Sequence, residues 1–80
     1  MTPEAILAQL RELMIDVFDV DDLEVTPATT AEDIEEWDSL SHVRLIVAVE
    51  RKFGFRFKTS EIEDLKSVGD LIRLIQEKTQ

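Results

Sequence analysis

Ser39 is the residue whose type and setting best support covalent chemistry, because its hydroxyl is a nucleophile at the predicted start of a helix. Asp38 precedes it and is expected to cap that helix. A helix N-terminus points free N–H groups and the positive end of the helix dipole outward, which favours a phosphate group. A phosphodiester on Ser39 would therefore be favoured electrostatically despite the nearby carboxylate. A plain first-turn serine is the alternative that position alone leaves open.

Other kinds of reactive site find little support in the sequence. His42 is the only histidine, and at about 100° per residue its side chain falls near the core-facing side of the helix. We therefore expect a partly buried structural histidine and no Ser-His catalytic pair. The absence of cysteine excludes disulfides and thiolate metal sites. The acids of residues 19–24 lack the glycine and ligand spacing of an EF-hand loop, so no metal site is predicted.

The helix that follows Ser39 has two apolar faces. The face predicted to lie on the core holds Leu45, Ile46, Val49 and Phe53. The opposite face holds Leu40, Val43 and Val47, which we call the exposed strip, because one small bundle is not expected to bury both faces. Charged residues flank this strip, namely Arg44, Glu50 and Arg51. An apolar strip rimmed by charge is typical of a docking helix, although a single strip residue tucked under a loop stays an alternative.

The rest of the pattern predicts an all-α chain. Thr2 as N-cap and Pro3 in the first turn begin a helix that ends near Phe18. A long connection over residues 19–37 follows, and its spaced apolar residues are expected to pin it to the core: Leu23, Val25, Ile34 and Trp37. We favour packing over a partner-anchor role for Trp37.

Three further helices complete the prediction. The second helix runs from about Ser39 to Phe53 and stops at Gly54. A short helix begins at Thr59 or Ser60. Ser67 is expected to cap the last helix, whose apolar stripe consists of Val68, Leu71, Ile72 and Ile75.

Composition limits the possible partners. The 80 residues, 44% of them apolar, predict one domain over residues 1–80, and the formal net charge is −9. Phosphate binding needs a basic face, so nucleic acid is a poor partner. Acidic chains favour basic partner surfaces, although excess acid also serves simply to keep a protein soluble. Neither a membrane span nor a signal peptide is recognised, so we expect no membrane insertion and a cytoplasmic location.

The segment WDSLSHVRLIVAVERKFGFRF, from Trp37 to Phe57, resembles the phosphopantetheine attachment segment of acyl carrier proteins. The family pattern is Asp-Ser-Leu and then a helix with apolar residues at spacings like those here, followed by Glu and Phe. The matching residues are Val43, Leu45, Ile46, Val49, Glu50 and Phe53. Asp-Ser-Leu alone recurs by chance, but the order of helices and the long loop resemble the family along the whole chain.

The resemblance implies a four-helix bundle with a long loop between helices one and two and a short third helix. It also implies that Ser39, flanked by Asp38 and Leu40, receives 4′-phosphopantetheine from coenzyme A through a phosphopantetheinyl transferase. Acyl or related intermediates would then be carried as thioesters on the arm's thiol, and the chain would be a non-catalytic, monomeric carrier. Its users would be acyl-loading, ketosynthase or acyltransferase-type enzymes of fatty-acid, polyketide or specialised lipid biosynthesis.

The resemblance also implies roles for residues along the second helix. Leu40, Val43 and Val47, with Arg44, Glu50 and Arg51 beside them, would form the partner-docking surface. The core would be lined by Leu45, Ile46, Val49, Leu65 and Val68, where some members shelter a short acyl chain.

Some residues depart from the family pattern. Common members carry acids at the positions of Arg44, Arg51 and Lys52, whereas here the second helix has mixed charge. The loop before it is strongly acidic, with Glu32, Asp33, Glu35, Glu36 and Asp38. Trp37 also replaces a residue that is often small. These departures predict a dedicated carrier with its own set of enzymes. The alternatives are an aminoacyl or peptidyl carrier for a nonribosomal-type synthetase and, from a different class, an unmodified helical adaptor.

Overall fold

The first helix, α1 (Pro3–Phe18), begins and ends where its caps require. The side chain of Thr2 accepts a hydrogen bond from the Ala5 backbone N–H at 3.2 Å, and Pro3 occupies the first turn, where a missing N–H costs nothing. Asp19 ends the helix in the left-handed region at φ 55°. The predicted N-cap and the predicted end near Phe18 are both confirmed.

The computed structural model describes residues 2–79. After α1 come a 3-10 turn at Ala31–Asp33, then α2 (Ser39–Phe53), α3 (Thr59–Glu63) and α4 (Val68–Thr79). The all-α prediction is confirmed, since residues 2–79 contain no strand beyond an isolated bridge between Thr30 and Ser67. Over the same span, no helix combines the length and apolar character needed to cross a membrane.

The core forms where α1 packs against α2 and α4. The residues predicted to face it on α2 are buried, apart from the half-buried Phe53. On α4 all four stripe residues are buried, and on α1 the buried set is Ile6, Leu10, Met14 and Phe18. Leu65 is only half-buried and lies at the edge of this core, in contrast to the fully buried Val68.

The long connection is fixed at both of its ends. Ile34 and Trp37 are buried, and Leu23 and Val25 pack half-buried against the core, as the sequence predicts. Arg11 holds the first part by donating from Nε to the Leu23 carbonyl at 2.8 Å.

A second set of contacts ties the connection to the start of α4. The Val68 N–H donates to the Thr29 carbonyl at 2.8 Å, and the Gly69 N–H donates to the Pro27 carbonyl at 2.8 Å. These bonds join the middle of the connection to the first turn of α4, so they fix this part of the connection relative to α4.

Gly69 is required by this close approach. A Cβ at residue 69 would lie 2.9 Å from the Pro27 carbonyl oxygen, nearer than ordinary contact. We therefore expect Gly69→Ala to lower the free energy of unfolding by about 1 kcal/mol. Displacing packed backbone costs about 1–3 kcal/mol, which exceeds the gain of about 1 kcal/mol from replacing glycine in a helix. Urea unfolding monitored by circular dichroism measures this.

Glu77→Ala is the control, because Glu77 is exposed on the same helix and a surface change there should stay within about 0.5 kcal/mol of wild type. If Gly69→Ala has an unchanged or higher free energy of unfolding, the added Cβ is accommodated beside Pro27 without destabilising the fold.

Candidate functional site

Ser39 is the first residue of α2, and its side chain is exposed. The preceding Asp38 caps the helix, with Oδ1 accepting a hydrogen bond from the Ser41 backbone N–H at 2.9 Å. This N–H holds the pKa of Asp38 below its usual value, so the carboxylate is ionised at neutral pH. Ser39 therefore lies at the positive, N-terminal end of the helix, and its side chain is exposed to solvent.

Trp37 and His42 hold the backbone on either side of Ser39. The indole Nε1–H donates to His42 Nδ1 at 3.1 Å, and the two rings stack with centroids 6.0 Å apart. Trp37 also contacts Phe18 of α1, with ring centroids 6.1 Å apart. The predictions of a packed tryptophan and a partly buried histidine are confirmed, and Nδ1 of that histidine is occupied as an acceptor.

The environment of His42 favours the neutral ring. Burial lowers the pKa of His42, which a hydrogen bond with the Ile62 carbonyl only partly opposes. Protonation at Nδ1 would also set two donors, Nδ1–H and the Trp37 N–H, against each other.

The folded protein should therefore lose stability as pH falls from the unfolded-state histidine value, about 6.5, through the lower pKa of folded His42. In this window the unfolded chain binds more protons than the folded chain. His42→Asn keeps a possible acceptor but does not titrate. We expect the stability difference, wild type minus His42→Asn, to shrink between about pH 7.5 and about pH 5.5. Urea unfolding at both values, with an NMR titration of His42, tests this; a constant difference would contradict it.

A cleft of about 340 Å³ opens beside Ser39. Its wall joins the start of α2 to the connection between α3 and α4, and its lining consists of Ala31, Trp37, Asp38, Ser39, His42, Leu65 and Lys66. Lys66 lines the same cleft as the serine. The sequence pattern gave no signal for Lys66 or Ala31 here, because only the fold of the two connections brings them near Ser39.

The exposed strip lies on α2 as the helical wheel predicts. Leu40, Val43 and Val47 are 62%, 58% and 42% exposed, whereas Leu45 and Val49 on the opposite face are fully buried. The prediction that these three side chains face solvent is confirmed. The strip begins at the residue directly after Ser39.

The charged residues beside the strip differ in exposure and in their hydrogen bonds. Arg44 and Arg51 are exposed. Glu50 is half-buried, and its Oε2 accepts a hydrogen bond from the Phe57 backbone N–H at 2.8 Å, which fixes the turn after α2. Toward Ser39 the acidic residues Glu32, Glu35 and Glu36 are exposed. The surface is therefore acidic near the serine and basic near the end of α2.

Over the described residues no group of three or more acidic or histidine side chains could hold a metal ion. The conformation of the site rests on helix capping and aromatic packing.

Comparisons with known proteins agree with this architecture. Residues 8–75 match the family model described as "Phosphopantetheine attachment site". The acyl carrier protein of Acidothermus cellulolyticus is 37% identical over 79 residues, covering 99% of this chain and 94% of that one. The meromycolate extension acyl carrier protein of Mycolicibacterium smegmatis is 36% identical, covering 94% and 76%.

A solved structure matches as well. The solution NMR structure of the holo acyl carrier protein from Geobacter metallireducens superposes with a TM-score of 0.85 at 42% identity, covering 91% of this chain and 84% of that one. Fold, family model and relatives all point the same way, and the chain belongs to the acyl carrier protein family, as a carrier that bears phosphopantetheine.

Proposed function

We propose that Ser39 Oγ is the atom to which phosphopantetheine is attached, and that the chain docks on its enzymes through the exposed strip and the acidic loop before α2. The observation that carries the proposal is the position of Ser39: an exposed hydroxyl at the first residue of α2, directly before the exposed strip. One helix then offers both the modified residue and the surface that presents it.

The surroundings of Ser39 fit a phosphodiester. The first N–H groups of a helix lack carbonyl partners within the helix and carry its positive end charge. Lys66 lines the same cleft as Ser39. The Ser39 side chain is exposed, so a transferase can reach it without unfolding the chain.

The attachment step is a transfer of the phosphopantetheine group from coenzyme A to the serine hydroxyl. Ser39 Oγ attacks the phosphorus of coenzyme A that carries the pantetheine half, and a new Oγ–P bond forms. The P–O bond to the nucleotide half breaks, adenosine 3′,5′-bisphosphate leaves, and the hydroxyl proton passes to a base of the transferase. When bound, the group supplies a terminal thiol on which acyl cargo is held as a thioester.

We propose further that the chain contributes no catalytic group of its own. His42 is the nearest candidate base along the sequence, but its Nδ1 accepts from Trp37 and its ring is stacked and half-buried. The reactions therefore belong to partners: a phosphopantetheinyl transferase, and acyl-loading, ketosynthase or acyltransferase-type enzymes that meet the exposed strip. The paired acidic and basic ends of this surface favour a dedicated set of partners.

The direct test is mass spectrometry of the wild-type chain after incubation with coenzyme A and a promiscuous phosphopantetheinyl transferase. We expect a mass gain of one phosphopantetheine group, and fragmentation of the peptide spanning residues 37–44 should place that group on Ser39. The absence of a gain, or its location on another residue, would contradict the proposal.

A further inference from the structure

The exposed strip continues into a groove at the far end of α2. This end groove has a volume of about 440 Å³ and is lined by Val47, Glu50, Arg51, Gly54, Phe55 and Arg56. Val47 belongs to both the strip and the groove, so the two surfaces adjoin at this residue.

Two arginines give the end groove a positive rim. The ion pairs formed within residues 2–79 involve Arg11, Arg73 and Lys78, so neither Arg51 nor Arg56 has a carboxylate partner in that part of the chain. Glu50 lines the groove but directs Oε2 to the Phe57 N–H. In a chain with 18 acidic residues and a net charge of −9, this is a local basic site.

The apolar wall of the end groove is held rigidly. Phe55 is half-buried, and its ring packs edge-on against Phe57 at a centroid distance of 4.9 Å and an angle of 84°. Lys78 Nζ lies 5.9 Å from the centroid of the same ring. Because these contacts fix the ring, a ligand that packs between Phe55 and Val47 would not have to order it.

We propose that the end groove binds an acidic segment of a partner enzyme, with one apolar side chain between Val47 and Phe55 and carboxylates at Arg51 and Arg56. Guanidinium groups bind carboxylates through two parallel hydrogen bonds, which gives geometry as well as attraction. The proposal rests on docking through α2. The acidic loop before α2 calls for a basic surface on the partner, whereas the end groove calls for an acidic one.

The consequence is a partner with two patches of opposite charge. Arg51 lies twelve residues beyond Ser39, so about 18 Å of helix separates them. An enzyme whose active site meets Ser39 would need a basic patch facing the acidic loop and an acidic segment about 18 Å away. Opposite charges at the two ends allow one orientation of docking and penalise the reversed one.

An acidic peptide tests the end groove without any enzyme. The probe is an acetylated, amidated hexapeptide of sequence EDLLDE, titrated at low ionic strength into the ¹⁵N-labelled full-length chain carrying Ser39→Ala. We expect saturable NMR shifts centred on Val47, Arg51, Gly54, Phe55 and Arg56. The Arg51→Gln/Arg56→Gln variant should bind about fivefold more weakly, or worse, since it loses two exposed charge pairs.

Lys52→Gln is the matched control. Lys52 is the neighbour of Arg51 and its loss removes the same charge, but it lines a different depression, beside Glu12, Asp16 and Asp19. Lys52→Gln should bind EDLLDE as tightly as the chain without this substitution. The neutral peptide QNLLNQ should bind that chain much more weakly than EDLLDE does. Circular dichroism of each variant verifies that the fold is retained.

Three results would overturn the proposal: no saturable shift with EDLLDE, equal binding of the neutral peptide, or equal loss in Lys52→Gln and the double variant. Each would leave attachment at Ser39 unaffected, because the peptide is titrated without the arm. Conversely, a failed attachment at Ser39 would not prevent the peptide from binding.

Discussion

The Ser39→Ala variant should gain no mass from coenzyme A and the transferase under conditions that modify the wild-type chain completely. The substitution removes the only atom proposed to attack phosphorus, so the loss is complete and not a change in rate. The fold should be unaffected, because Ser39 is exposed, the Asp38 cap bonds the Ser41 N–H instead, and such surface changes cost within about 0.5 kcal/mol.

Ser41→Ala is the control for this experiment. Ser41 stands in the same helical turn, and its backbone N–H, the donor to Asp38, is retained when the hydroxyl is removed. This variant should be modified to completion. A mass gain in Ser39→Ala would show that the group is attached to another residue. Failure to modify Ser41→Ala, in which Ser39 is intact, would likewise contradict attachment at Ser39. Intact-mass spectra of the three proteins, taken over time, separate these outcomes.

The parts of the fold that depend on local chemistry could be predicted from the sequence. Thr2 and Pro3, and Asp38 with Gly54, mark their helix ends because capping needs only the side chains and backbone within one turn. The two faces of α2 follow from helical geometry alone, which is why the exposure of Leu40, Val43 and Val47 was predictable.

Contacts between distant segments could not be predicted in the same way. The hydrogen bonds from Val68 and Gly69 to Thr29 and Pro27 form between backbone groups, and every residue has those groups. In the same way, Lys66 and Ser39 line one cleft although they are distant in sequence.

The pairing of Trp37 with His42 had a local signal that was missed. Trp37 directly precedes the N-cap and His42 is the fourth residue of the helix, the two positions that pack together in a hydrophobic staple. A pattern that places the only tryptophan and the only histidine at these positions predicts their contact.

Trp37→Ala should be the most destabilising of the single substitutions considered. Trp37 is 6% exposed and contacts Phe18 and His42 with its ring, and truncating a buried tryptophan costs about 3–5 kcal/mol. A chain of 80 residues has about 4–12 kcal/mol of stability in total, at about 0.05–0.15 kcal/mol per residue. Urea unfolding followed by far-UV circular dichroism should therefore show a much lower midpoint, or a chain already partly unfolded in water.

Trp37→Phe separates the ring from its hydrogen bond. Phenylalanine retains most of the packing against Phe18 but leaves His42 Nδ1 without the indole N–H, a loss of about 1 kcal/mol. With Nδ1 free to accept a proton, the pKa of His42 should rise toward its ordinary value, and an NMR titration of this single histidine measures it. If the pKa stays unchanged, burial against α3 alone keeps His42 neutral. If Trp37→Ala costs less than about 0.5 kcal/mol, the range of surface changes, then Trp37 does not anchor the loop that leads into Ser39.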